Sequence, residues 1–138
     1  MLFKKVVYVT QFVSDQDKAL DFYTRLLEFE KRVDNPTPDG GPRFLTVGVR
    51  GEDFQLVLWP GKPGEGRAFQ GRIPAACTIE TPDCRKAFEE LTSRGVTFET
   101  GVLEYPWGYI ALFEDPDGNR LQIREAKEWT PTQDGNAA

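Results

Sequence analysis

Apolar and polar positions along the chain run through one order of elements and then repeat it. Residues 4–13 are rich in valine, tyrosine and phenylalanine and predict a strand. Ser14-Asp15-Gln16-Asp17 supplies a cap and early negative charge, after which Ala19, Phe22, Tyr23, Leu26 and Leu27 recur at helical spacing. One face of residues 15–27 must therefore be buried. A second strand is predicted over 29–33, and the turn formers between Asn35 and Pro42 predict a loop. Residues 43–49 and 54–59 predict two more strands, joined at Gly51.

The second round has the same grammar. Residues 75–80 predict a strand, and Thr81-Pro82-Asp83 predicts a helix start with a hydroxyl cap and proline in the first turn. Cys84, Ala87, Phe88 and Leu91 form the apolar stripe of that helix, and Gly95 is the expected left-handed stop. Strands over 96–104, 109–113 and 121–124 complete it. Both rounds read βαβββ, and residue identities support the doubling. Asp15-Gln-Asp-Lys-Ala19 returns as Asp83-Cys-Arg-Lys-Ala87 at a shift of 68, and Phe54-Gln55-Leu56 returns as Leu121-Gln122-Ile123 at a shift of 67. The organisation expected is a first module over 1–59, a Gly/Pro-rich linker over 60–72, a second module over 73–126 and a mobile polar tail over 127–138, all within one structural domain. The linker lacks the spacing of a phosphate loop, and no helical pattern comes after it.

Composition narrows the chemistry. The chain has 138 residues, 39% hydrophobic, enough to bury a core without disulfides. A formal charge of -5 argues against nucleic acid or an anionic membrane surface as partner, because both would repel it. No stretch approaches the length of a membrane span, and the N-terminal apolar run lacks a cleavage site, so a cytoplasmic protein is expected. Cys77 and Cys84 are too few for a disulfide framework or a zinc site. Cys84 falls where a helix terminus could acidify a thiol, yet with no histidine anywhere to serve as its base a buried structural role is the better reading.

Two tandem βαβββ units, the aromatic turn Tyr105-Pro106-Trp107-Gly108-Tyr109 and the hairpin Phe113-Glu114-Asp115-Pro116-Asp117-Gly118-Asn119 together resemble the vicinal oxygen chelate superfamily of glyoxalase I, bleomycin and fosfomycin resistance proteins and extradiol dioxygenases. The resemblance covers residues 4–126. It implies an α+β fold in which two modules form a curved mixed sheet with an open cleft, and a homodimer. It also implies a divalent metal held from the first and last strands of each module. Those positions fall on Tyr8, Gln55, Ala76 and Gln122, where metal-binding members place histidine and glutamate. A neutral set without imidazole cannot compensate an ion for its lost water, so no metal and no other cofactor are expected. The acids Glu52, Asp53, Glu80 and Glu125 do not pair symmetrically across the repeat, leaving Glu104 and Glu114 as stray carboxylates.

Strand alternation sets Tyr8 with Thr10 and Phe12, Gln55 with Val57 and Trp59, Ala76 with Thr78, and Gln122 with Arg124. With Trp107 and Tyr109 closing one end by resemblance, the lining Tyr8, Gln55, Trp59, Trp107, Tyr109, Gln122 and Arg124 suits a small organic ligand with a flat apolar part and polar handles. Three functions stay open. One is a metal-free small-molecule binding protein, the second a metal-dependent lyase, isomerase or dioxygenase with its ligands elsewhere, and the third a metal-free enzyme. The first is the reading adopted. The third would need a glutamate raised by burial or a depressed tyrosine or lysine as its base. Asp15, Lys18, Asp83 and Lys86 read as repeat remnants on solvated helix faces.

Overall fold

A computed structural model describes residues 2, 4–37, 40–62 and 75–127. Most of the expected linker, residues 63–72, and all but Lys127 of the expected tail lie outside them. The chain forms two compact units, residues 1–72 with 115–119 and residues 73–114 with 120–138. Each holds a four-stranded sheet and one helical segment, an α+β fold of two βαβββ modules.

In the first unit the strands are β1 (Tyr8–Val13), β2 (Glu30–Asn35), β3 (Phe44–Gly48) and β4 (Gln55–Pro60), ordered β1-β4-β3-β2 with β1 and β4 parallel. Helix α1 (Gln16–Asp21) starts at Asp15, whose carboxylate accepts the Lys18 N–H at 3.1 Å. Asp15 is therefore the cap expected within Ser14–Asp17, and it is exposed. The Gln16 amide donates to the Arg43 and Leu58 carbonyls, both at 2.8 Å, and so ties the first turn to β4 and to the residue before β3.

After Asp21 the helix widens into a π-helical turn over Phe22–Leu26, where the Leu27 N–H reaches back five residues to the Phe22 carbonyl. The Thr24 hydroxyl donates to the Leu20 carbonyl at 2.6 Å and competes for the acceptor that a regular helix would use. The wider turn rotates Leu26 and Leu27 off the buried stripe. Ala19, Phe22 and Tyr23 are buried as expected, while Leu26 and Leu27 are only half-buried. Val13, Leu45, Val47, Leu56 and Leu58 complete this core, each such side chain contributing roughly 1–3 kcal/mol by its removal from water.

The second unit contains β5 (Cys77–Glu80), α2 (Cys84–Ser93), β6 (Leu103–Tyr105), β7 (Gly108–Glu114) and β8 (Arg120–Ala126), with sheet order β5-β8-β7-β6. The cap of α2 is Asp83, accepting the Lys86 N–H at 3.0 Å; Thr81 and Pro82 lie before the helix, contrary to the expected hydroxyl cap. Glu125 adds a second acceptor at this terminus, receiving the Cys84 N–H at 2.9 Å. At the other end Gly95 takes φ +94° and the Val96 N–H bonds the Leu91 carbonyl, which closes the last turn.

Instead of the strand predicted over 96–104, only Leu103–Tyr105 joins the ladder, with Phe98 making a separate bridge to Phe113. Between them the Glu99 N–H donates to the Leu112 carbonyl at 2.8 Å while the Leu112 N–H goes to the Thr100 hydroxyl at 3.1 Å, so a side chain stands in for one of the two backbone bonds. Among the described residues no helix is long and apolar enough to cross a membrane.

Candidate functional site

Each sheet has one face under its helix and one face free of it. In the first unit, register places Tyr8 opposite Gln55, Thr10 opposite Val57 and Phe12 opposite Trp59, and Val57 opposite Thr46. With side chains alternating, these residues and Phe44 share the helix-free face. Tyr8 and Phe44 meet edge to face at 5.6 Å, while Tyr8 remains 45% exposed and Phe12, Gln55 and Trp59 are half-buried. The result is an aromatic surface still open to solvent around one amide.

That amide is held in one orientation. Thr46 is fully buried, and its hydroxyl accepts the Val33 N–H at 3.1 Å and donates to Gln55 Oε1 at 2.6 Å. With the oxygen of Gln55 occupied, its NH2 group presents two donors to anything that lies on the face. Thr46 is not among the site residues expected from sequence. Its only signal there is its place in a β3 strand of alternating faces, two residues from Phe44.

In the second unit Gln122 lies opposite Thr78 and Leu112, and Arg124 opposite Glu80 and Ile110, on the corresponding helix-free face. Ala76 donates its N–H to the Arg120 carbonyl, so it is not the pairing partner of Gln122 as Tyr8 is of Gln55. The offset of two residues changes partners and preserves faces.

Tyr109 departs from the expected lining. It lies opposite Glu125, whose carboxylate turns to the α2 terminus, so Tyr109 is on the helix-bearing face and Gln122 and Arg124 are on the other. Lys127 Nζ stands 4.6 Å from the Tyr109 ring centre and pairs with Glu104, whose carboxyl it holds below the ordinary range. Trp107 stacks on Tyr105 with centroids 4.9 Å apart and planes within 9°. Tyr105, opposite Gly108, belongs by register to the helix-free face.

The motif Asp115-Pro-Asp-Gly-Asn119 proves to be more than a turn, because it closes a buried polar network in the first unit. Asp115 Oδ1 accepts the Asp117 and Asn119 N–H groups, each at 2.9 Å. Its Oδ2 accepts the Tyr23 hydroxyl and the Asn119 amide, again at 2.9 Å each. Gln11 donates to the Tyr23 oxygen at 3.1 Å, and the Asn119 amide also reaches the Phe12 carbonyl at 2.9 Å. Burial pushes the Asp115 carboxyl above its ordinary range, against the pull of these donors. All four donors aim at its two oxygens, which leaves no lone pair to take a proton from a substrate. The network spans residues more than 90 positions apart, so no local pattern could have revealed it.

The cysteines carry no nucleophile. Cys84 is fully buried and its thiol is raised by burial and then by Glu125; burial pushes Cys77 up to about 11. Among the described residues no three His, Cys, Asp or Glu side chains gather to hold a metal ion. The chemistry of Tyr8, Gln55, Ala76 and Gln122 does not fit a divalent ion either, since none is anionic or an imidazole and Ala76 has no donor atom.

Comparison with known proteins adds an independent line. The family profile of the Glyoxalase/Bleomycin resistance protein/Dioxygenase superfamily matches residues 5–123. A member of this superfamily from Sphaerobacter thermophilus is 37% identical, superposes with a TM-score of 0.74 and is covered over 99% of its length by 91% of this chain. TnmS3, an antibiotic binding protein from Streptomyces sp. CB03234, is 32% identical with a TM-score of 0.75, over 92% of this chain and 99% of its own. Lactoylglutathione lyase of Escherichia coli O157:H7 is more distant, 27% identical over 84% of this chain and 88% of its own.

Proposed function

The chain belongs to the glyoxalase/bleomycin resistance protein/dioxygenase superfamily, and from that premise we propose that it binds a small organic molecule without a metal, on the helix-free face of its first sheet. One observation carries the reading. Tyr8, Phe12, Phe44 and Trp59 surround a Gln55 amide whose NH2 group is aimed by Thr46, which suits a flat apolar body bearing an acceptor such as a carbonyl oxygen. The likeness to TnmS3 supports binding over catalysis, and the neutral donor set supports a metal-free site. Family membership alone does not choose among these chemistries.

A neutral fluorescent probe, N-phenyl-1-naphthylamine, tests the proposal. The expected result is saturable binding that EDTA leaves unchanged and that Trp59→Ala weakens at least about tenfold, the loss of one desolvated aromatic contact. Binding that survives Trp59→Ala, or that EDTA abolishes, would count against this face or against the metal-free reading respectively.

The likeness to lactoylglutathione lyase favours a second reading, a metal-dependent isomerisation or lyase reaction. Calorimetric titration with nickel and zinc decides between the two, since micromolar affinity for either ion favours the lyase. We also infer a homodimer. β1 is an edge strand; Val9 on it and Val6 and Val7 just before it are 39%, 66% and 41% exposed, an apolar edge that a second copy would cover. Light scattering at twice the chain mass is the expected outcome, with Val7→Lys shifting it toward one chain.

A further inference from the structure

An irregularity in the first sheet brings a second polar group to its helix-free face. The β2–β3 register shifts between Lys31 and Val33, so Arg32 stands on β2 with no residue of its own opposite on β3. Continuing the β3–β4 register by one residue sets Gly48 across from Gln55, on the face that Thr46 and Val57 share. Gly48 has no side chain to fill its place there, and Arg32 fills it. A Cβ on Gly48 would stand 3.1 Å from both Cζ and Nη2 of Arg32. Residues directly opposite on two strands have Cβ positions about 5 Å apart, which makes this guanidinium the neighbour of the Gln55 amide.

Its position is fixed by bonds made on its far side. Nη2 donates to the Val49 carbonyl at 2.6 Å and to the Glu52 carbonyl at 2.7 Å, and Nε lies 2.8 Å from Glu30 Oε1. Nη1 has no hydrogen-bond partner among the described residues and, unlike Nε, is not covered. The rigid plane of the group therefore holds its remaining donors in one place, open to solvent.

The charges around Arg32 are matched. Glu30 also stands 3.7 Å from Arg50, and Asp53 pairs with Lys5 at 2.7 Å, its carboxyl held below the ordinary range first by Lys5 and more weakly by Arg32. Glu52 belongs to the same turn, so three charges of each sign meet here. This end of the face offers hydrogen-bond donors without the surplus of positive charge that would favour an anion.

We propose that Arg32 Nη1 and the Gln55 NH2 group together hold one carbonyl oxygen of the ligand, so that the molecule bound is an uncharged aromatic carbonyl compound. The proposal rests on the small-molecule reading above and adds Arg32 as a specificity-determining residue. A carbonyl oxygen has two lone pairs, one for each donor, and Tyr8, opposite Gln55 on β1, supplies a ring for the body of the molecule.

Three fluorescent dyes on one frame test it: 2-dimethylamino-6-propionylnaphthalene, its 6-propyl analogue without the carbonyl, and 6-dimethylamino-2-naphthoate. The ketone is expected to bind the wild-type protein about tenfold or more tightly than the propyl dye, the effect of two hydrogen bonds, and at least as tightly as the carboxylate. In Arg32→Met the ketone's advantage should fall to about threefold or less while the propyl dye binds as before, which also reports that the variant is folded. The emission of the bound ketone, which moves to the red when its carbonyl accepts hydrogen bonds, should shift to the blue in that variant. Equal affinity of the wild type for ketone and propyl dye, or an advantage that persists in Arg32→Met, would overturn the donor pair and leave the binding reading intact. A carboxylate bound about tenfold more tightly than the ketone would overturn the uncharged class. If no dye binds, the small-molecule reading falls as well.

Discussion

With its proton committed to Gln55 and a lone pair to the Val33 N–H, the Thr46 hydroxyl decides which end of the Gln55 amide is offered to a ligand. Thr46→Val keeps the shape and removes that control. The Val33 N–H and the Gln55 oxygen would both lose a partner, so a loss of about 1–3 kcal/mol in urea denaturation is expected, together with weaker probe binding. An unchanged affinity would mean that Gln55 is oriented by something else. Cys77 gives a prediction in pH. With burial holding its thiol at about 11, alkylation of the native protein by iodoacetamide should be slow at neutral pH and still climb about tenfold per unit between pH 9 and 10. A plateau near pH 9 would show an ordinary, accessible thiol. These residues are unequally legible in the sequence. Tyr8, Gln55 and Trp59 can be placed on one face by alternation alone, whereas the hydroxyl that governs Gln55 acts across a strand pair and leaves no local trace.

Elements announce themselves where their signals are local. Asp15 caps its helix because its short side chain reaches an N–H three residues on, a distance that can be counted along the chain; Asp83 does the same for α2, where the sequence pattern points to the Thr81 hydroxyl instead. The π-helical turn at Phe22–Leu26 escapes such counting because it depends on one hydroxyl competing for one carbonyl, and a helical stripe looks the same with or without it. Tyr109 is misplaced by sequence reasoning for a related cause. The aromatic turn suggests that its rings act together, but consecutive residues on a strand face opposite ways, and the pairing with Glu125 fixes which way Tyr109 faces. The glycine beside it is tightly constrained. A Cβ on Gly108 would stand 2.3 Å from the Glu125 carbonyl oxygen, so Gly108→Ala must push β7 from β8. A loss of about 2 kcal/mol or more in denaturant unfolding is expected, and an alanine accepted without cost would mean that the two strands are less closely joined.

For the molecule as a whole, the doubled pattern carries the architecture: two βαβββ units, each with its parallel outer pair, arise from periodicity and turn chemistry repeated at a fixed interval. What the repeat cannot convey is where the two copies have diverged. Tyr8 pairs with Gln55 in one unit, but Thr78 takes the place beside Gln122 in the other, a two-residue slip that the repeated residues conceal. The other divergence concerns ownership of residues. Asp115–Asn119 sits inside the second repeat by sequence, yet its carboxylate and amide complete the buried network of Gln11 and Tyr23 in the first unit. Cutting the gene between the repeats would therefore not yield two autonomous halves. Residues 1–72 alone would lose the Asp115 carboxylate that accepts the Tyr23 hydroxyl and the Asn119 amide that donates to the Phe12 carbonyl, and should show poorly dispersed amide resonances and no cooperative melting. Supplying the remaining residues in trans should restore both. The ancestral half-size protein that the repeat implies thus could not have been this first half as it stands; complementation by the other copy is now written into its core.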